Sequence, residues 1–129
     1  MGSWTVNTDE EPGILKLRLV GQLTEPEMRA FVAAHNAAID AYKGKDYRVW
    51  VDLSELMPLS PECTELFQEA KLYSNAQRNF RGSAVLVMGA MVALQHRRTS
   101  VDAGVMPTEL ISSNPVELRA HLRRVHRRA

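Results

Sequence analysis

Three short segments each join a capping side chain to a proline and an acidic residue: Thr24-Glu25-Pro26-Glu27, Ser60-Pro61-Glu62 and Asn114-Pro115-Val116-Glu117. A side-chain oxygen at the N-cap accepts one of the backbone N–H groups that the first helical turn leaves unpaired. Proline costs nothing there, because its missing N–H would have no partner, and a carboxylate complements the positive end of the helix dipole. Thr24 with Glu27 has the spacing of a reciprocal capping box. Between these starts lie short apolar runs bounded by glycine. A chain that alternates capped helices with short apolar strands is constrained to an α/β layer structure with a partly parallel sheet.

The strands read directly. Residues 3–8 (SWTVNT) place Trp4 and Val6 on one side, and the cluster Asp9–Gly13 stops them. In residues 14–20 Leu15, Leu17 and Leu19 alternate with Lys16 and Arg18, the period-two mark of a half-buried strand, and the short spacer predicts a hairpin. Residues 47–53 put Val49, Val51 and Leu53 on one face, and Ala84–Met88 is a continuous apolar run after Gly82, as expected of a central strand. Residues 109–112 give a short fifth strand. Helices are predicted from Thr24 through Met28, Phe31, His35 and Ile39, from Ser60 through Leu66, Phe67, Ala70 and Tyr73, and over 90–103 with Met91, Leu94, Arg98 and Val101 as the packing stripe. A last, arginine-rich helix spans 114–129. The expected order is ββαβαβαβα, about five strands and four helices in one domain covering residues 1–129, with a loop at Ser54–Leu59.

At 129 residues with 45% hydrophobic content, the chain is long enough to bury a core without staples, and its one cysteine excludes a disulfide framework. No apolar run approaches the roughly 18 residues of a membrane span, and the N-terminus has no basic-then-apolar leader, so a reducing, cytoplasmic setting is expected. The net charge of +1 hides a division: residues 1–70 sum to −6 and residues 71–129 to +7. Such segregation steers partners or brings copies together head to tail, and otherwise serves as a solvating surface.

Leu-Val-Gly-Gln-Leu-Thr at 19–24, Val-Asp-Leu-Ser at 51–54 and the element order resemble the STAS domain family, which includes bacterial anti-sigma-factor antagonists and cytoplasmic domains of anion transporters. The resemblance covers nearly the whole chain and implies a small sheet backed by helices. In the antagonists a strand ending Asp-Leu-Ser leads to Asp-Ser-Ser-Gly, which opens the next helix and includes a phosphorylated serine. Here Asp52, Leu53 and Ser54 match the strand end, but the helix opens with Ser60-Pro61-Glu62-Cys63, and Glu62 falls where that serine would be in an ungapped alignment.

Candidate regulatory residues are therefore Ser54, Ser60, Glu62 and Thr64, around a helix N-terminus beyond a strand end, where α/β proteins gather ligands and partners. The plainer account makes Ser60 an N-cap and Glu62 a dipole partner. Cys63 has the spacing of a small buried residue, and His35 that of a packed core histidine. His96, His121 and His126 sit beside arginines, and no pair has metal-binding spacing, so no metal or other cofactor is expected. Asp52 alone is no catalytic signal, and no phosphate loop, nucleophile elbow or CxxC is present. Arg119, Arg123 and Arg127, flanked by Arg124 and Arg128, line one side of the last helix, with Leu118, Leu122 and Val125 on its packing side.

These features favour a non-enzymatic regulatory or scaffolding module that binds a protein partner or a second copy of itself. A different class, a carrier of a small apolar or lipid-like ligand in a pocket between sheet and helices, draws on Met28, Met57, Met88, Met91 and Met106. A third reading is anion or nucleic-acid binding through the C-terminal arginines. Nucleic acid is disfavoured by a pI near 8.0 and by the absence of aromatics among those arginines.

Overall fold

In the computed structural model, which describes residues 2–104 and 108–126, the alternation of signals becomes β1 (Ser3–Asn7), β2 (Ile14–Gly21), α1 (Glu25–Ala41), β3 (Tyr47–Leu56), α2 (Pro61–Asn75), β4 (Phe80–Val87), α3 (Ala90–Ala103), β5 (Glu109–Ser112) and α4 (Pro115–His126). The five strands lie side by side in chain order. β1 pairs antiparallel with β2 as the expected hairpin, and every later neighbour is parallel. Three successive crossovers run in one direction across the sheet, and because parallel crossovers share one hand, α1, α2 and α3 fall on the same face, α1 against α2 and α2 against α3.

Register explains the two faces. Leu17, Val51, Val85 and Ile111 form one row across four strands, and all four are buried beneath α1–α3. The adjacent row, Lys16, Trp50, Ala84 and Leu110, points the other way. There Leu118 and Leu122 of α4 pack on Ile14 and Ala84, with Trp50, Leu86, Leu110 and Val125 around them. The main core gathers Met28, Phe31 and Ile39 of α1 with Leu66 and Phe67 of α2, each fully buried side chain contributing about 1.5–3 kcal/mol. The capping box is present, with Glu27 N donating to Thr24 Oγ1 and Thr24 N to Glu27 Oε1.

Four sequence expectations are corrected. β3 continues to Leu56, so Ser54 belongs to the strand and not to a loop. Gly21 pairs with Leu56 at the ends of β2 and β3, so the ladder runs past the alternating segment. β4 starts at Phe80, with Gly82 inside it rather than before it, and Met88 lies beyond its end, 65% exposed. The face of α3 is inverted: Met91, Leu94 and Val101 are 62, 65 and 61% exposed, while Val92, His96, Thr99, Ser100 and Ala103 turn inward. The reason is a polar interior contact, described below, that accepts His96 and Ser100 in place of an aliphatic stripe.

Candidate functional site

All parallel strands end at the same edge of the sheet, and the segment from Met57 to Ser60 crosses that edge into α2. It is pinned from both sides. Met57 N donates to Gly21 O, and Gln22 Nε2 donates to Pro58 O at 3.2 Å. From α3, Gln95 Oε1 accepts from Leu59 N at 2.9 Å while Gln95 Nε2 donates to Leu59 O at 3.0 Å. A side-chain amide thus pairs with one backbone residue on both its polar groups, as a neighbouring strand would.

Ser60 caps α2, its Oγ accepting from Cys63 N at 3.2 Å, and Thr64 Oγ1 donates back to Ser60 O. Both are partly exposed and Glu62 is exposed, so Ser60, Glu62 and Thr64 share one surface at the start of α2. Ser54 does not join them. It lies in β3 in phase with Trp50 and Asp52, away from the α1–α3 layer, and its Oγ donates to Asp52 Oδ1 at 2.6 Å. Cys63 is buried, its thiol directed at Leu23 O.

Beside Ser60–Thr64 runs a groove of about 740 Å³ between the first turn of α2 and the outer face of α3. Leu59, Pro61, Met91, Leu94 and Val101 supply its apolar surface, and Arg97 and Arg98 its charge. Met57 and Met88 stand exposed at the same edge of the molecule. This apolar surface is the other side of the α3 inversion.

Beneath α3 lies a buried polar cluster that no local motif of the sequence announces. Lys71 of α2 is buried (7% exposed), and its ammonium donates to His96 Nε2, to Ser100 Oγ and to the carboxylate of Glu109 in β5, 3.2 Å away. Glu109 (side chain 2% exposed) also accepts from Ser100 Oγ and from Ser83 Oγ of β4, the latter at 2.9 Å. Every donor of the ammonium is used. Burial lowers Lys71 to about 8, partly offset by Glu109. Burial, with the Lys71 charge beside it, holds His96 well below the ordinary histidine range, so it stays the neutral acceptor that the contact requires. The available signal was Lys71 itself: it falls on the inward stripe of Leu66, Phe67, Ala70 and Ser74, where a charge demands a buried partner.

The cavity between sheet and helices is about 30 Å³, room for about one water, and His35, Lys71, Ser74, Ser83 and Glu109 supply its polar lining. No methionine lines it. Met28 is plain core, Met57, Met88 and Met91 are at the surface, and Met106 lies outside the described residues.

The C-terminal arginines divide. Arg119 is not simply presented to solvent: its guanidinium lies 4.5 Å from the Trp50 ring centroid and pairs with Glu11 at 2.9 Å. Arg123 and Arg124 are exposed, and Arg127 and Arg128 lie outside the described residues. His35 is buried and lowered by desolvation, as a core histidine; His121 hydrogen-bonds Thr108 O. Among the described residues, no three His, Cys, Asp or Glu side chains gather as a metal site, and no helix is long and apolar enough to cross a membrane.

A five-stranded mixed sheet with three helices on one face and a fourth on the other is the SpoIIAA-like, STAS-type fold. Two solved structures share it along almost their full length. A protein of SpoIIAA-like fold from Shewanella loihica PV-4 superposes with a TM-score of 0.68 at 14% identity, covering 93% of this chain and 94% of its own. An anti-sigma factor antagonist from Mycobacterium paratuberculosis superposes with a TM-score of 0.62 at 18% identity, covering 97 and 96%. No family model and no curated protein matches the sequence. The likeness establishes the fold expected from the sequence.

Proposed function

We propose that this chain is a non-enzymatic regulatory or scaffolding module of one domain that binds a protein partner through the start of α2 and the outer face of α3. The observation that supports this reading is the exposed apolar set Met91, Leu94 and Val101, which lines a groove with Thr64, together with Met57 and Met88 exposed after the ends of β3 and β4. Exposed apolar patches edged by polar groups mark interaction surfaces. The likeness to an anti-sigma factor antagonist points the same way. Against catalysis, the buried cluster of Lys71, His96 and Glu109 is sealed in the interior beside a cavity of about 30 Å³. A ligand carrier would need α1 and α2 to part from the sheet, and free-anion binding would rest on Arg123 and Arg124.

The test is site-specific photo-cross-linking in cells that express the chain, with the photoreactive residue at Met57, Met88 or Leu94 and a control at Ala37 on α1. A defined protein joined from the first three positions and not from Ala37 supports the reading. Equal labelling at all four positions, or none, overturns it.

A further inference from the structure

We propose that the outward seam of α3 docks an amphipathic helix of a partner protein, one that carries carboxylates beside its apolar stripe. This deepens the protein-binding reading above and rests on it. Met91, Leu94, Arg98 and Val101 follow one another at steps of three, four and three residues, the spacing by which one helix packs along another. On a core-facing helix such a stripe turns inward, whereas here its three apolar members are each more than 60% exposed and the inward face is formed by other residues. Leu59 and Pro61 raise a second wall, and the Gln95–Leu59 pair holds that wall against α3. The result is a groove bounded along its length by a helix.

The charges select the occupant. Arg98 sits within the seam and Arg97 beside it, and among the described residues neither pairs with a carboxylate. No acidic residue lines the groove. Guanidinium groups beside an apolar floor are complementary to carboxylates flanking an apolar stripe, with which they form paired hydrogen bonds. A second copy is the wrong occupant: joining two α3 seams brings four guanidinium groups together, and Asp102 is the one carboxylate that each α3 brings. A membrane is a poor one, because a flat lipid surface meets the rims of a groove rather than the seam along its floor.

The probe is a helix-stabilised peptide of about 21 residues, three heptads with leucine at the seam positions and glutamate beside them, compared with a twin in which lysine replaces glutamate. Binding is read by fluorescence anisotropy and mapped by amide chemical shifts on the full chain. The glutamate peptide should bind saturably with shifts confined to α3 and residues 57–64, and the lysine twin about tenfold more weakly or worse. The exposed double variant Arg97→Glu/Arg98→Glu, with an unchanged circular dichroism spectrum, should reverse that preference. Equal binding of the twins, binding of neither, shifts elsewhere, a dimer of the free chain broken by Leu94→Asp, or tighter binding to anionic phosphatidylglycerol vesicles than to the peptide overturns the proposal. Cross-linking to a partner from Met57 with Leu94 silent overturns this seam while leaving protein binding intact; cross-linking from no position overturns both.

Discussion

The side chain of Gln95 is hydrogen-bonded to both the N–H and the C=O of Leu59, at 2.9 and 3.0 Å. This fixes the turn before α2 to the middle of α3, although the two residues are 36 apart in sequence. Gln95→Ala removes both bonds and should cost about 1–3 kcal/mol by denaturant unfolding, at about 0.5–1.5 kcal/mol for each bond. Gln95→Glu keeps the acceptor for Leu59 N but loses the donor, so its cost should be intermediate near neutral pH. Hydrogen exchange at the Leu59 amide should quicken in the alanine variant, with the β3 and β4 amides unchanged. Unchanged Leu59 exchange would show that Gln22 and the β2 backbone hold the turn alone.

Lys71 and Glu109 form a pair whose removal one partner at a time should be worse than removal of both. Lys71→Met leaves a buried carboxylate on two serine hydroxyls, and Glu109→Gln leaves a buried ammonium; each should cost about 3–5 kcal/mol. The double variant Lys71→Met/Glu109→Gln should recover part of that loss, read as a positive coupling in a double-mutant cycle. The pair is also pH-dependent in a stated direction. The unfolded lysine keeps its proton to the ordinary lysine value of 10.5, whereas the folded one releases it near 8. Between those values the unfolded chain binds more protons, so this group's contribution to stability rises with pH. The rise should be missing in Lys71→Met.

How much of this was legible depends on the reach of each signal. Thr24-Glu27, Ser60-Pro61 and the alternation of Leu15, Leu17 and Leu19 are local, settled within a turn or a strand, and the element order and fold follow from them. The inner face of α3 is not local. Its spacing presents two candidate stripes, and the apolar one looks like core until Lys71 and Glu109, 38 residues apart, meet and call for His96 and Ser100. The same event exposes Met91 and Leu94 and so makes the groove. No local signal marks Arg119 as a held residue, because its partners, Trp50 and Glu11, lie across the sheet face in a different part of the chain.

The two inward histidines predict acid sensitivity. Burial lowers both His35 and His96 from the ordinary histidine value of 6.5. A depressed histidine is neutral in the fold and protonates first in the unfolded chain, so its stability contribution is present above the unfolded value and lost as pH falls below about 6.5. Each should contribute a slope of up to about 1.4 kcal/mol per pH unit below that point. Urea unfolding at pH 7.5 and pH 5.5 measures it. His35→Gln should shrink the difference by up to about half, since the buried His96 remains. A stability independent of pH across this window would contradict the burial of both rings.

Gly82 should be the least replaceable residue under α4. Its φ of 149° is one that L side chains rarely adopt, and an added Cβ would lie 2.7 Å from Thr108 O and 3.0 Å from Val125. The glycine therefore permits both the backbone path of β4 and the close approach of the last helix. Gly82→Ala should cost about 1–3 kcal/mol for backbone strain alone, and more because Val125 must move. Displacing Val125 pulls on α4, which is held by Arg119 over Trp50 and by Arg48 Nη1 donating to Leu122 O at 3.0 Å. Two readouts should respond together: quenched, red-shifted tryptophan emission from Trp50, and faster exchange of the α4 amides. Arg119→Ala should move the same two readouts at a smaller cost, about 1 kcal/mol for the cation–π contact and an exposed ion pair. An alanine at position 82 that leaves both unchanged would show that α4 is not seated on β4 through this contact.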